Sequence, residues 1–333
     1  MIELNVCPST LAEGFTTYSP TTRKTLFDGR AVSHVFRGEN PHKDSKEAWE
    51  SFRNIGRISL SGVQSKFSAV IGDDGNIRYG KDGERGTFIL KPNPTGYHLF
   101  NRKYCAANEN VTMQIASQVY GISTAANALC FFDDGEPAYI TRRFDIGKGG
   151  AKHPQEDFAA LMGYTKANGG SDYKYINASY EECAEVIRKF VKASAIDILR
   201  FFQLILFNFI SLNDDAHLKN FSLIKAGDEY RLSPAYDLIN TSIHLAMPRI
   251  FALNRGLFRE GMEFSDVRTI RKEDFIEFGR RIGLPEKIVL SEINRFSSPS
   301  DKVETLINNS FLSEELKRGY LFDMRYRQKM LTF

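Results

Sequence analysis

The stretch Leu212-Asn-Asp-Asp-Ala-His-Leu-Lys-Asn-Phe-Ser-Leu-Ile224, followed by a Gly227-Asp228 turn and Tyr230-Arg-Leu-Ser-Pro-Ala-Tyr-Asp237, decides the reading of this chain. An apolar helix, Ile196 to Leu212, empties into a loop that holds Asp214, Asp215, His217, Lys219 and Asn220 within a few residues. A strand pair follows, and a further acidic residue, Asp237, stands just past the return strand. Polar groups placed so close to strongly apolar sequence are costly to bury unless each is paired or faces a cleft. The segment therefore reads as a site. An acidic pair in a loop can also cap a turn, and for Asp214 that structural reading stands.

The residue types name a chemistry. Magnesium binds through one or two carboxylates plus other oxygens, and keeps waters and phosphate oxygens in its remaining positions. Asn220 and Asp237, brought together across the strand pair, can supply such ligands, and Asp215 then reaches past the metal toward an attacking hydroxyl. Phosphoryl transfer needs that set: an aspartate on the nucleophile, with an Asn and an Asp holding the metal on the phosphates. Lys91, at the end of Thr87-Phe-Ile-Leu-Lys-Pro92, supplies a cation for α- and β-phosphate oxygens, and Glu109 on the next helix is a candidate to orient it.

Working outward, Ile58 to Ile71 reads as strand, small-residue turn and strand, closed by Gly72-Asp-Asp-Gly75. Residues 101–120 fit one helix that stops at Gly121, and Leu129–Phe132 with Ala138–Thr141 make a second hairpin around Asp133-Asp-Gly-Glu. Beyond Gly147-Lys-Gly-Gly150 the chain is mostly helical, with helices over 181–192, 196–212, 272–282, 285–296 and from Glu314 onward. The second of these is apolar on nearly every side and should be a buried spine. The first fifty residues show no clean period and yield no element.

Composition excludes other classes. The 333 residues carry 44 Lys plus Arg against 41 Asp plus Glu, a net charge of +3, with 42% hydrophobic and 26% charged residues. Disordered and collagenous chains are excluded, and the charge is too small to announce nucleic-acid binding. The four cysteines, Cys7, Cys105, Cys130 and Cys183, lie far apart, so neither a zinc site nor a disulfide framework is indicated. No signal-peptide pattern opens the chain, and the longest apolar run, Phe201–Ile210, is too short to span a bilayer. A cytoplasmic protein is expected.

Six blocks stand in order between residues 56 and 240: Ser59-x-Ser61-Gly62-Val63-Gln64-Ser65-Lys66, Phe88-Ile-Leu-Lys91-Pro92, Arg143-Phe144-Asp145, Gln155-Glu-Asp157, Asp215-x-His217-x-x-Asn220 and Pro234-x-Tyr236-Asp237. In that order they resemble the HipA family of toxin kinases. The resemblance implies an α+β, bilobal protein-kinase-like fold, with a small β-rich lobe (1–145) and a larger helical lobe (146–333). It implies a Ser/Thr protein kinase using ATP and Mg2+, with Asp215 as catalytic base, Asn220 and Asp237 on magnesium, and Lys91 on ATP. The linker at Arg142 to Phe144 would receive the adenine, and Gln155, His217 and Tyr236 would line the nucleotide.

The serine loop begins near residue 57, ahead of which longer family members carry an extra subdomain. The chain is thus similar to the short-form HipT type, whose modules add a small HipS-like protein and a HipB-like helix-turn-helix DNA binder. The resemblance further implies a toxin whose substrate is an aminoacyl-tRNA synthetase, the tryptophanyl enzyme favoured, with DNA reached only through HipB and no membrane. It also points to autophosphorylation at Ser59 or Ser61. A phosphoserine adds roughly −1.5 to −2 charge, which over ATP phosphates repels the nucleotide or pulls the loop outward. The unmodified hydroxyls and backbone N–H groups of Ser61, Gly62 and Val63 favour phosphate instead. Two other readings remain open on the residues alone: a regulatory binding protein or corepressor for which catalysis is dispensable, and a small-molecule kinase on a related scaffold.

Overall fold

The computed structural model describes residues 3–42, 64–81, 83–96, 99–175, 178–247, 249–262 and 269–333. The expected first strand at Ile58, and with it Ser59, Ser61, Gly62 and Val63, lies outside the described residues. The architecture is mixed α+β. A sheet is built from β1 (Phe36–Arg37), β2 (Phe67–Ile71), β3 (Ile77–Tyr79), β4 (Phe88–Pro92), β5 (Asn127–Phe131) and β6 (Pro137–Arg142), in the order β1-β3-β2-β4-β6-β5. Neighbours are antiparallel except β1 and β3. β4 is thus interior, and Lys91 sits opposite Tyr139 of β6.

Side chains alternate between two cores, as the two-residue period of a strand requires. On one face Ala69, Phe88, Leu90, Cys130 and Ile140 pack against Tyr18, Phe27, Val32 and Phe36. The N-terminal region, from which the sequence yielded no element, therefore forms β1 and a short helix, α1 (Pro20–Leu26), and covers one side of the sheet. Its apolar residues are spaced irregularly because each answers to a strand beneath it rather than to a period of its own. On the other face Leu129, Phe131 and Tyr139 meet α2 (Cys105–Gln118) and the core of the helical half. α2 ends where Gly121 takes φ +63°, a conformation that suits a residue without Cβ.

The helical half contains α3 (Tyr180–Phe190), α4 (Ser194–Ile210), α5 (Lys272–Arg281), α6 (Glu286–Ser297), α7 (Asp301–Asn308) and α8 (Glu314–Met330). A small sheet in the order β7-β8-β9 joins them: β7 (Gln155–Asp157), β8 (Ser222–Ala226) and β9 (Glu229–Leu232). α4 is the expected spine, buried from Phe201 to Ile210 except at the half-buried Gln203. α7 was not anticipated. The four cysteines are buried thiols. No described helix is long and apolar enough to cross a membrane.

One polar clamp ties α2 to the segment after β9. The Asn108 amide donates to the Asn240 carbonyl at 2.7 Å and lies 2.9 Å from His244 Nε2, while His244 Nδ1 is 3.0 Å from the Phe100 carbonyl. A carbonyl can only accept, so Nδ1 carries the proton and Nε2 accepts from Asn108. The ring is neutral, and burial pushes it down from 6.5 to about 4. A basic group depressed on folding contributes stability at neutral pH that is lost as pH falls from its unfolded to its folded value. Buried His217 has the same sign, and Asp214, raised by burial to about 6, opposes it at lower pH. Between pH 7 and 5 the wild-type chain should lose stability, about 2 kcal/mol of it through His244. His244→Gln, which preserves both hydrogen bonds, should remove that share from denaturant melts at the two pH values; an unchanged pH slope would exclude His244 as a source.

Candidate active site

Three elements converge on one buried ammonium. Lys91 of β4, with a side chain 4% exposed, contacts Glu109 of α2 at 2.5 Å and the Asp237 carboxylate on its other side. Lys66, just before β2, reaches the second oxygen of Asp237 at 3.1 Å. Two ammonium groups thus meet two carboxylates and the cluster is neutral. Burial draws the Lys91 ammonium down, but Asp237 and Glu109 overcome it and hold it above its ordinary value. Burial likewise pushes the Asp237 carboxyl up, and the two lysines reverse this and hold it well below the usual carboxylate range. For Glu109 burial wins and its carboxyl is raised.

The loop after α4 is set by its first residue. Leu212 takes φ +55°, unusual for a branched side chain, and its carbonyl accepts from both the backbone N–H and the hydroxyl of Thr241, at 3.0 and 2.7 Å. The loop then folds on itself. The carbonyl of Asp215 accepts from the His217 N–H at 2.7 Å and from the Asn220 amide at 2.8 Å. With its N–H spent there, Asn220 has its amide oxygen as the donor for a cation. The Asp215 carboxylate accepts from the Tyr175 hydroxyl at 2.7 Å. His217 is 1% exposed and packs its ring edge-on to Tyr175, yet neither ring nitrogen has a hydrogen-bond partner among the described residues. Burial pushes it down to about 4, so a neutral imidazole with an unused donor and acceptor lines the cleft. Such a group is costly unless a ligand satisfies it.

The cleft itself measures about 570 Å3, within the ordinary range for a small-molecule site. Among its polar lining residues are Lys66, Lys91, Lys174, His217, Asn220 and Asp237. Its apolar and aromatic lining includes Ile89, Ala125, Phe144 and Tyr236, the last two rings 5.6 Å apart. Arg142 and Arg143 reach it from the end of β6, paired to Asp28 and Asp145 respectively. Gln155 also lines it and donates to Ser222 at 2.9 Å, while the Tyr236 hydroxyl donates to the Lys219 carbonyl. The structure thus gathers at one cleft the expected Lys91, Arg142, Phe144, Gln155, His217, Asn220, Tyr236 and Asp237, with Glu109 behind Lys91 and Asp215 behind His217 and Asn220. Ser59, Ser61, Gly62 and Val63 lie outside the described residues.

The donor set fits magnesium better than a transition metal. Among the described residues there is no group of three or more His, Cys, Asp or Glu able to hold a metal. One carboxylate, Asp237, and one amide oxygen, Asn220, suit a hard cation that takes its other ligands from phosphate and water. Tyr175, Lys174 and Lys66 carry no role in the sequence reading. Lys66 closes the Ser59–Lys66 block, but Tyr173-Lys-Tyr175 carries no spacing or composition that marks it.

Comparison with known proteins identifies the family and the fold. The model of the HipA-like C-terminal domain matches residues 58–302. A protein of Haemophilus influenzae described as "Putative kinase" is 27% identical over 281 residues, 77% of each chain. "Putative kinase Y4dM" of Sinorhizobium fredii is 28% identical over 278 residues, 79% of this chain and 63% of its own length. Among solved structures, the HipA of the Shewanella oneidensis MR-1 toxin–antitoxin system, in complex with HipB and its operator DNA, superposes with a TM-score of 0.63 at 19% identity, covering 89% of this chain and 74% of that one. The family match runs from the serine loop through most of the sheet, the cleft and the helical half, so the chain belongs to the HipA-like C-terminal domain family.

Proposed function

We propose that this chain is a Mg-ATP-dependent serine/threonine protein kinase acting as the toxin of a bacterial toxin–antitoxin module. One observation carries the reading: Lys91, His217, Asn220 and Asp237 line a single cleft, and Asp215 adjoins it, its carbonyl bonded to the Asn220 amide and its carboxylate to the cleft-lining Tyr175. Magnesium, held by Asn220 and Asp237, would neutralise the phosphates. Lys91 contacts the α- and β-phosphate oxygens, and His217 uses its buried nitrogens on the nucleotide. The acceptor's hydroxyl oxygen bonds to the γ-phosphorus as Asp215 takes the hydroxyl proton. The bond from that phosphorus to the β–γ bridging oxygen breaks, and its electron pair leaves with ADP. Adenine stacks between Ile89, Ala125, Phe144 and Tyr236 at the end of β6, and residues 1–145 and 146–333 act as the two lobes.

The toxin assignment draws on the family and on the Shewanella HipA, whose complex with HipB and operator DNA makes a HipB-like partner the natural one for this chain. Resemblance to short-form members adds a HipS-like protein and, as substrate, an aminoacyl-tRNA synthetase, the tryptophanyl enzyme first. Phosphorylating a synthetase at its active site would stop tRNA charging and arrest growth. Such a kinase works in the cytoplasm.

Incubating the purified chain with Mg-ATP and a panel of synthetases, and recording intact masses, should reveal phosphate on one of them. Asp215→Asn should reduce transfer at least 100-fold, in line with removal of a general base, and should relieve growth arrest on expression. Absence of any adduct from the wild type, together with tight binding to a HipB-like protein, would favour a regulatory protein without catalysis.

The same spectra read the serine loop. Self-phosphorylation should map to Ser59 or Ser61, disappear in the Ser59→Ala, Ser61→Ala double variant, and correlate with weaker synthetase phosphorylation in the wild type. Adducts that persist undiminished in the double variant place the modified residue elsewhere.

A further inference from the structure

Asp237, the carboxylate that would hold magnesium, has a lysine on each of its oxygens. Oδ1 meets the ammonium of Lys91, and Oδ2 accepts from Lys66 at 3.1 Å. A dication placed on the same carboxylate would stand within contact range of two ammonium groups, and repulsion at that distance is severe in a site shielded from water. One lysine must withdraw. The two differ in their freedom to do so. Lys91 has a side chain 4% exposed, belongs to the interior strand β4 and also meets Glu109 at 2.5 Å, so its departure would leave a buried glutamate unpaired. Lys66 has a side chain 40% exposed and stands outside the strands, just before β2.

The backbone beside Lys66 is anchored on both sides. Gln64 Nε2 donates to the Pro92 carbonyl at 3.1 Å, one residue past Lys91, and Phe67 pairs with Leu90 across β2 and β4. The Cα of Lys66 is thus kept at the cleft while its flexible four-carbon stem can swing. The surrounding field decides when it does. Among the described residues, seven Lys and Arg side chains line the cleft against three aspartates, and Glu109 and Asp215, just behind its wall, leave that positive excess in place. Such a cleft repels a bare dication and attracts a polyphosphate.

We infer that Lys66 is the resident counter-ion of Asp237: it occupies the carboxylate in the metal-free chain and yields it to a divalent cation when nucleotide phosphates arrive to receive the released ammonium. The inference rests on the kinase reading above. Lys66, Lys91, Glu109 and Asp237 together are neutral. Exchanging Lys66 for a dication alone leaves one positive charge in excess, beside a cleft that is already cationic. A triphosphate entering at the same time removes the excess and gives Lys66 an acceptor. Metal and nucleotide therefore bind as a unit, coupled through two positions of one side chain. The same contact keeps Asp237 from loading metal without nucleotide.

The test uses the full chain with Mn2+ in place of Mg2+, free Mn2+ being counted by electron paramagnetic resonance, with and without a non-hydrolysable ATP analogue. Wild type should bind Mn2+ weakly alone and tightly with the analogue. Lys66→Met and Lys66→Gln, which remove the ammonium at a partly exposed position, should each raise nucleotide-free Mn2+ affinity about tenfold, roughly the worth of one charge-assisted contact. Both should also shrink the gain that the analogue brings. Lys66→Arg, which keeps the charge, should stay near wild type. Adding Asp237→Asn to Lys66→Met leaves the cluster neutral and should abolish the added affinity, which places the exchange at that carboxylate. Nucleotide-free affinity no higher than wild type in both Lys66→Met and Lys66→Gln would overturn the inference, as would a gain that survives Asp237→Asn or that Lys66→Arg shows equally. A wild-type chain that binds neither Mn2+ nor the analogue removes the kinase reading itself and this inference with it, whereas a wild type that binds both, beside silent Lys66 variants, removes only the inference.

Discussion

The ammonium of Lys91, walled off from water between Glu109 and Asp237, is the interaction on which the rest of the structure depends. Burying a charge is so unfavourable that the group must be matched by partners in good geometry, and a well-packed apolar trio of the same volume would often be more stable. What the charged cluster secures is a register. β4 delivers the lysine, α2 the glutamate and the segment after β9 the aspartate, from positions 91, 109 and 237 of the chain. Removing any one leaves a buried charge without its counterpart, so the three elements are held to one arrangement.

The segment after β9 carries more than the aspartate. Asp237 takes φ +55°, as does Leu212 at the start of the Asp215 loop, and non-glycine residues in that conformation cost on the order of 1–3 kcal/mol each. Both are held by neighbours that have other work: Asp237 by Lys91 and Lys66, Leu212 by the two hydrogen bonds from Thr241. Thr241 lies one residue from Asn240, which the Asn108 clamp fixes to α2. The same short run thus sets the aspartate, the loop and the helix that orients the lysine. Strain at these two positions is what such over-determination makes sustainable.

The parts of this that were legible in the sequence are those where chemistry or periodicity is local. α4 announced itself because apolar residues fill every side of it, and the loop that follows did so because Asp215, His217 and Asn220 crowd into six positions. Lys91 was readable as the end of a strand bounded by Pro92. The N-terminal helix and β1 were not, since Tyr18, Phe27 and Phe36 are buried by the sheet above them and not by any pattern among themselves. β7 was equally hidden: Gln-Glu-Asp has no strand character, and it is a strand only because β8 offers it a hydrogen-bonding edge. Tyr175 escaped for a related reason. Its partner is 40 residues away in the chain, and only folding reveals that a tyrosine among polar neighbours ends against a carboxylate.

The position of α2 explains why the cleft is formed before anything enters it. The helix is buried over most of its length on polar and apolar sides alike. Its Ala106, Val111, Met113 and Ile115 belong to the same apolar core as Phe207 of α4 and Met324 of α8. Its polar residues are also engaged: Asn110 and Gln114 meet Asn127 of β5, and Thr112 meets Tyr320 of α8. One helix therefore packs into the sheet that bears Lys91 and into the helices that bear the Asp215 loop. The distance between Lys91 and Asp215 is consequently fixed by close packing, which yields little to deformation, and the relative placement of the groups around the cleft is settled when the chain folds.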